Sequence, residues 1–188
     1  MVSEEVEMAI EIAKEGMDQA LEHLNNELVK IRTGKASPVM LTGLLVEYYG
    51  SPTPLNQVAN VGTSDSRTIT IQPWEKGMLG PIEHAIFAAN LGFTPMNDGE
   101  MIRINIPPLT EERRRDLVKH AKHLGEESKI SLRSSRHKAM DTIKKAVKDG
   151  YPEDAGKRKE DHVDKMVHDY TEKIDEMVSI REKDIMTV

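Results

Sequence analysis

Three stretches of this chain repeat a small or apolar residue at spacings of four and three, each for the length of a long helix. Few folds other than a bundle of long helices accommodate that pattern. The first stretch carries Val6, Ile10, Ala13, Met17, Ala20, Leu24, Leu28 and Ile31. At 3.6 residues per turn these positions form one stripe, a seam for partner helices. Ser3 is suited to cap this helix, with Glu4 and Glu5 at the positive end of its dipole, and Thr33-Gly34 before Pro38 is suited to end it. The second seam is Leu117, Ala121, Leu124, Ser128, Leu132, Ser135, Ala139, Ile143 and Ala146. Thr110 caps its helix, Glu111 and Glu112 occupy the first turn, and Gly150 marks the stop. Pro152 opens a third helix with Val163, Met166, Tyr170, Ile174, Met177 and Ile180. Three seams of similar length predict an antiparallel three-helix bundle.

Between the first and second helices the period changes. Leu44 to Tyr49 reads as a strand, followed by the turn-rich Gly50-Ser51-Pro52-Thr53-Pro54. A short strand at Gln57 to Val61 and an alternating one at Arg67 to Gln72 come next. Pro81 suits the first turn of a short helix through Ile82, Ile86 and Ala89 that stops at Gly92. Ile102, Ile104 and Ile106 alternate with Arg103 and Asn105 as a last strand, which Pro107-Pro108 ends. The fold class is therefore α+β. A discontinuous bundle of 1–31 and 108–188 carries an inserted β-rich α/β domain at 32–107. The chain crosses between them twice, and the punctuated crossings, Thr33-Gly34 and Asn105-Ile106-Pro107-Pro108, are expected to act as a hinge.

Little in the sequence supports chemistry. There is no cysteine among the 188 residues, hence no disulfide, thiol nucleophile or cysteine-held metal. His120 and His123 lie three apart but have no third ligand at a recognisable spacing, and Lys119 and Lys122 beside them repel a cation. No metalloprotease, nucleophile-elbow, dinucleotide or phosphate-loop motif occurs. No metal, cofactor or catalytic residue is expected. No apolar run approaches the roughly 20 residues that span a bilayer. The acidic start Met1-Val2-Ser3-Glu4-Glu5 resembles neither a signal nor a transit peptide. A cytoplasmic protein without membrane attachment is expected, and a monomer, because its seams are consumed within the bundle.

Charge is the informative feature. The net charge is −6, yet residues 113–148 hold twelve Lys and Arg against four Asp and Glu. Such asymmetry marks an anionic partner read by one face. Arg115, Lys122, Lys129 and Arg136 recur every seven residues, and Lys119 and Arg133 fall on the same stripe, with Glu126 as the one acid there. The stripe lies about a third of a turn from the apolar seam and runs for about 30 Å. Without a base-reading motif, it fits structured RNA recognised by shape and phosphate. A bundle scaffold whose stripe faces an acidic protein stays open as the alternative. An enzyme acting on transfer RNA would need convergent polar groups that the sequence does not supply.

Several motifs carry a resemblance. Lys30-Ile31-Arg32-Thr33-Gly34-Lys35-Ala36-Ser37-Pro38, Val46-Glu47-Tyr48-Tyr49-Gly50-Ser51-Pro52-Thr53-Pro54-Leu55, Asp65-Ser66-Arg67-Thr68 and Pro107-Pro108-Leu109-Thr110-Glu111-Glu112-Arg113-Arg114 follow one another in order. Together they resemble the signatures of ribosome recycling factors, end to end. The resemblance implies an L of two domains, outlined like a transfer RNA. It implies a factor that binds the large ribosomal subunit and its rRNA after termination and, with elongation factor G, splits the subunits. GTP hydrolysis then belongs to that partner. It also implies rRNA contacts at Arg133, Arg136, Arg113, Arg114 and Arg32, beside the stripe residues Lys122 and Lys129. At His137-Lys138 the chain departs from the arginine-acid pair frequent in relatives, and a neutral imidazole cannot replace a guanidinium fork.

Overall fold

The computed structural model describes residues 1–187. Four α-helices and six strands follow in the order α1 (Val2–Val29), β1 (Leu45–Tyr48), β2 (Ser51–Pro54), β3 (Ala59–Asp65), β4 (Thr68–Pro73), α2 (Leu79–Ala88), β5 (Pro95–Asn97), β6 (Ile102–Asn105), α3 (Glu111–Lys148) and α4 (Glu153–Met186). The described residues divide into two compact units, 1–31 with 115–187, and 32–114. The second crossing thus falls seven residues past Pro107, inside the first turns of α3. That shift follows from local bonding: Thr110 Oγ1 accepts the Arg113 N–H at 3.1 Å and Arg114 Nε donates to the Leu109 carbonyl at 3.3 Å, so these residues group with the segment before them.

The first unit is a three-helix bundle. Every residue of the α1 seam is buried. Helix α3 runs antiparallel to α1, since the Ser128 hydroxyl donates to the Ala20 carbonyl at 3.0 Å while Gly16 faces Ser135. Helix α4 runs parallel to α1. Lys159 pairs with Glu7 at 2.5 Å, Tyr170 donates to Asp18, and Arg181 donates to Val29 O at 3.2 Å and Ile31 O at 2.6 Å. Those contacts recur every eleven residues on both helices, three full turns, and keep two straight helices in one register. Helix α1 begins at Val2, not after Ser3, because the terminal ammonium and the Glu4 carboxylate close the first turn. It ends at Val29, not at Thr33-Gly34, and Arg181 takes up its last carbonyl and that of Ile31 just beyond it. On α4 the expected seam shifts: Val178 and Ile185 are buried, whereas Ile180 is exposed. The Val163, Tyr170, Ile174, Val178, Ile185 series tracks 3.6 residues per turn better than a strict heptad. The α3–α4 turn closes with Gly150 N–H on Val147 O at 3.2 Å and Tyr151 N–H on Ala146 O at 2.9 Å, a Schellman cap.

In the second unit a two-stranded sheet, β1-β2, accompanies a four-stranded antiparallel sheet of order β3-β4-β6-β5. Opposed pairs Ile69–Ile104 and Ile71–Ile102 point to one face and, with Val46, Ile82, Ile86 and Ile106, make a fully or almost fully buried core. Ser51–Pro54, expected as a turn, is strand β2. The turn is Tyr49-Gly50, both at positive φ (48° and 81°), which matches the twist of a two-residue hairpin. Strand β5 has only three residues and no alternation to announce it.

Candidate nucleic-acid interface

Helix α3 presents the basic stripe as the 3.6-residue period requires. Within the bundle, Arg115, Lys119, Lys122, Arg133 and Arg136 are exposed and Lys129 is half-buried. What the stripe offers an anion depends on α4, whose carboxylates reach it. Asp175 Oδ1 lies 2.7 Å from Lys129 Nζ, and Glu126 Oε1 lies 3.5 Å from it. The hydrogen bond from Lys129 to Asp175 holds its ammonium above the usual lysine pKa. Lys129 is a strut between α3 and α4, its one charge matched by two carboxylates. Arg136 is held differently. Its Nε donates to Asp164 Oδ1 at 2.6 Å, and the side chain is 44% exposed. Lys119, Lys122 and Arg133 make no ion pair among the described residues. The stripe is therefore not uniformly cationic. Glu126 is not the only acid on it, because Asp164 and Asp175 arrive from the neighbouring helix, whose spacing in sequence gives no hint of this contact. His137 pairs with Asp141 at 3.2 Å one turn further along α3, and Lys138 lines a groove with Met8 and Ile12.

The arginines outside the bundle divide in the same way. Arg113 is exposed. Arg114 is only 8% exposed, and its Nε is engaged by the Leu109 carbonyl, so it presents almost no surface to phosphate. Arg32 Nη2 donates to Pro107 O at 3.1 Å, while its buried Nε finds no acceptor. Arg32 thereby ties together the two segments by which the chain enters and leaves the second unit.

Both segments are also anchored to the β3–β4 turn. Asp65 shapes that turn, accepting the Arg67 N–H at 2.8 Å and the Thr68 hydroxyl at 3.2 Å, and these bonds draw its pKa below the usual aspartate value. Ser66 O accepts the Ala36 N–H at 2.8 Å, and Arg67 O accepts the Ile106 N–H at 2.7 Å. Asn105 pairs with Thr68 in the sheet, and Ile106 is fully buried. Asn105 and Ile106 are thus held in the sheet domain by ladder bonds and core packing. Thr33 and Gly34 carry no such bonds. Gly34 sits at φ 79° with Leu109 Cγ 3.5 Å from where its Cβ would stand. Pro107 and Pro108 are exposed.

Sequence reasoning missed Arg181. Its Nη2 satisfies two carbonyls at the end of α1, and Asp184 lies 4.0 Å from its Nη1. Burial lowers its pKa, with Asp184 partly offsetting the effect. Arg181 holds Ile31 in the bundle, and Arg32 is held in the second unit, so the two clamps bracket a single peptide bond. A single arginine near the end of an acidic helix gives no sequence signal for that role. Among the described residues no group of three or more His, Asp and Glu could hold a metal ion, and no helix is long and apolar enough to cross a membrane.

Comparisons with known proteins agree on one family. A family model described as ribosome recycling factor matches residues 24–186. The ribosome-recycling factor of Christiangramia forsetii is 52% identical over 185 residues, covering 98% of this chain and all of that one. The ribosome-recycling factor of Porphyromonas gingivalis is 49% identical over 185 residues, with the same coverage. Among solved structures, a solution structure of a ribosome recycling factor is 34% identical and superposes with a TM-score of 0.80, covering 98% of each chain. The T. thermophilus ribosome recycling factor, described with E. coli elongation factor G on the E. coli post-termination complex, is 39% identical with a TM-score of 0.65. That match covers 97% of this chain and 99% of the other.

Proposed function

Because the chain belongs to the ribosome recycling factor family, we propose that it binds the post-termination ribosome and, together with elongation factor G, separates the subunits for a new round of translation. It is a non-enzymatic translation factor. The partner supplies the nucleotide chemistry, and the chain supplies shape and charge. The observation that carries this function is the end-to-end match to ribosome recycling factors. The exposed cations of α3 give it a physical basis. Lys122, Arg133 and the Nη groups of Arg136, with Lys119 beside them, are the residues of this stripe open to rRNA phosphates. Arg113 is a separate contact carried by the second unit. Lys129, Arg114 and Arg32 serve the fold. We take it to be a cytoplasmic monomer, because its work is on ribosomes and its α1 seam is consumed within the bundle. The stretch from the Ile31–Arg32 peptide bond, between the two clamps, to Gly34 has no ladder bonds, and we assign the hinge to it.

The test is direct. The chain should co-sediment with large ribosomal subunits and should split post-termination complexes when elongation factor G and GTP are present. Arg133→Ala should weaken binding by about 1–3 kcal/mol and reduce its salt dependence. A chain that ignores ribosomal subunits but binds an acidic protein tightly would be the bundle scaffold instead.

A further inference from the structure

We propose that Asp164 of α4 is a positioning residue for Arg136, holding its guanidinium by Nε so that both Nη groups face an RNA phosphate. The proposal rests on the rRNA-binding function assigned to α3 and goes beyond it to a residue on another helix.

The argument is a contrast between two cations on one stripe. Lys129 and Arg136 lie seven residues apart on α3, and Asp175 and Asp164 lie eleven apart on α4. Seven and eleven residues are close to two and three whole turns, so each pair presents one face of its helix to the other. The two contacts are almost equal in length, 2.7 and 2.6 Å. Their consequences differ because the cations differ in shape. An ammonium is a point charge, and two carboxylates around Lys129 Nζ spend it. A guanidinium is a planar fork with five N–H groups, of which Nε carries one. Asp164 engages only that one. The four N–H groups on Nη1 and Nη2 have no partner among the described residues, and the side chain is 44% exposed. A carboxylate on Nε also fixes rotation about the last bonds of a long side chain. The entropy of ordering Arg136 is then met within the folded protein rather than on binding.

Two effects of Asp164 oppose each other: its charge repels phosphate, and its grip pre-orients the fork. On a surface exposed to water the high dielectric weakens the repulsion, whereas it leaves the orientation intact. Orientation therefore wins.

The experiment measures binding of the full-length chain to isolated large ribosomal subunits at two salt concentrations, with a thermal melt of each variant. Asp164→Ala should weaken binding about tenfold, the equivalent of one charge-assisted hydrogen bond. Asp164→Asn keeps an acceptor at the Oδ1 position and should recover most of the loss. In an Arg136→Lys background, which has no Nε, Asp164→Ala should cost nothing further. A merely structural ion pair would lower the melting temperature and would not show this dependence on Nε. Tighter binding by Asp164→Ala would mean that the carboxylate screens the stripe, and would overturn the proposal. Unchanged binding by Asp164→Ala, where Arg136→Ala does weaken it, overturns the positioning role and leaves the rRNA surface standing. Parent-like binding by Arg136→Ala overturns Arg136 as a contact and the positioning role with it. Arg133→Ala then reports independently on the stripe.

Discussion

Gly125 on α3 faces Val178 on α4 so closely that a Cβ at position 125 would stand 2.7 Å from Val178 Cγ2. Gly156 and Val147 repeat the relationship at the other end of the pair, at 2.5 Å. Small residues at these points set how near the two helices approach, and hence whether Asp164 and Asp175 can reach α3 at all.

Gly125→Ala should therefore destabilise the bundle, although alanine is the better helix former by about 1 kcal/mol. The methyl meets a stiff β-branched side chain, and overpacking of that kind costs about 1–3 kcal/mol. The expected net effect is a fall in melting temperature of about 2–6 °C. Adding Val178→Ala removes the clashing methyl, so the double variant should be more stable than the sum of the single effects. A rise in melting temperature for Gly125→Ala alone would mean that the helices can part without cost.

The bundle was legible in the sequence because its signal is long and periodic: every residue of the α1 seam is buried. The α4 seam misled at Ile180 because apolar character there is not burial, and the true series was hidden by an eleven-residue register. The sheet domain was legible where strands alternate, as in Ile102 and Ile104, and illegible in β2, which consists of Ser51-Pro52-Thr53-Pro54. Prolines read as a break, but on a two-stranded ribbon they are tolerated at the edge. At the interface the sequence located the cations and not their state. Whether Lys129 is spent and Arg136 half-engaged depends on carboxylates 46 and 28 positions away, brought near only by packing.

Arg181 is the clearest case of a role without a sequence signal, and it yields the next prediction. Arg181→Ala leaves the carbonyls of Val29 and Ile31 without their charged donor. The cost should be about 1.5–3 kcal/mol, as for a hydrogen bond to a charged group. Lysine cannot offer the same fork and should restore only part. The damage should be local first. Amide exchange at Lys30 and Ile31, which bond to Glu27 O and Leu28 O in the last turn, should accelerate ahead of the rest of α1. Unchanged protection at these amides would show that the clamp is dispensable.

Tyr170 gives a pH signature. Burial, followed by its hydrogen bond to Asp18 and the charge of that residue, pushes the phenol up to about 12 from an ordinary value near 10. Below pH 10 both folded and unfolded chains keep the proton. Between 10 and 12 the unfolded chain loses it while the folded chain retains it, so the unfolded state binds fewer protons and stability falls as pH rises. Tyr170→Phe should be less stable than the parent chain at pH 8, since the bond to Asp18 is gone. Above pH 10 its stability should depend less steeply on pH, and the gap between the two should narrow. Denaturant melts at pH 8, 10 and 11 measure this, and parallel curves for the two chains would rule it out.

Gly34 tests the hinge. Its φ of 79° is left-handed, a region where a β-branched residue is strained by about 1–2 kcal/mol. Space is not the obstacle, because the nearest atom to a Cβ there is Leu109 Cγ at an ordinary 3.5 Å. Gly34→Val should therefore push the backbone toward extended angles and change the path of the chain just past the Arg32 clamp. Neither core loses a contact, so the bundle should melt as before and the second unit should melt lower by only about 4–8 °C per kcal/mol of strain. The cations of α3 are untouched, so large-subunit binding should stay within about twofold, or about 0.4 kcal/mol. If this stretch is the hinge we assign, subunit splitting with elongation factor G and GTP should fall well below that. Gly34→Ala, with a smaller steric penalty at the same φ, should fall between the parent chain and the valine variant. Equal loss of binding and splitting would place Gly34 in the binding surface. Full retention of both would assign the hinge to another segment, with exposed Pro107-Pro108 the next to examine.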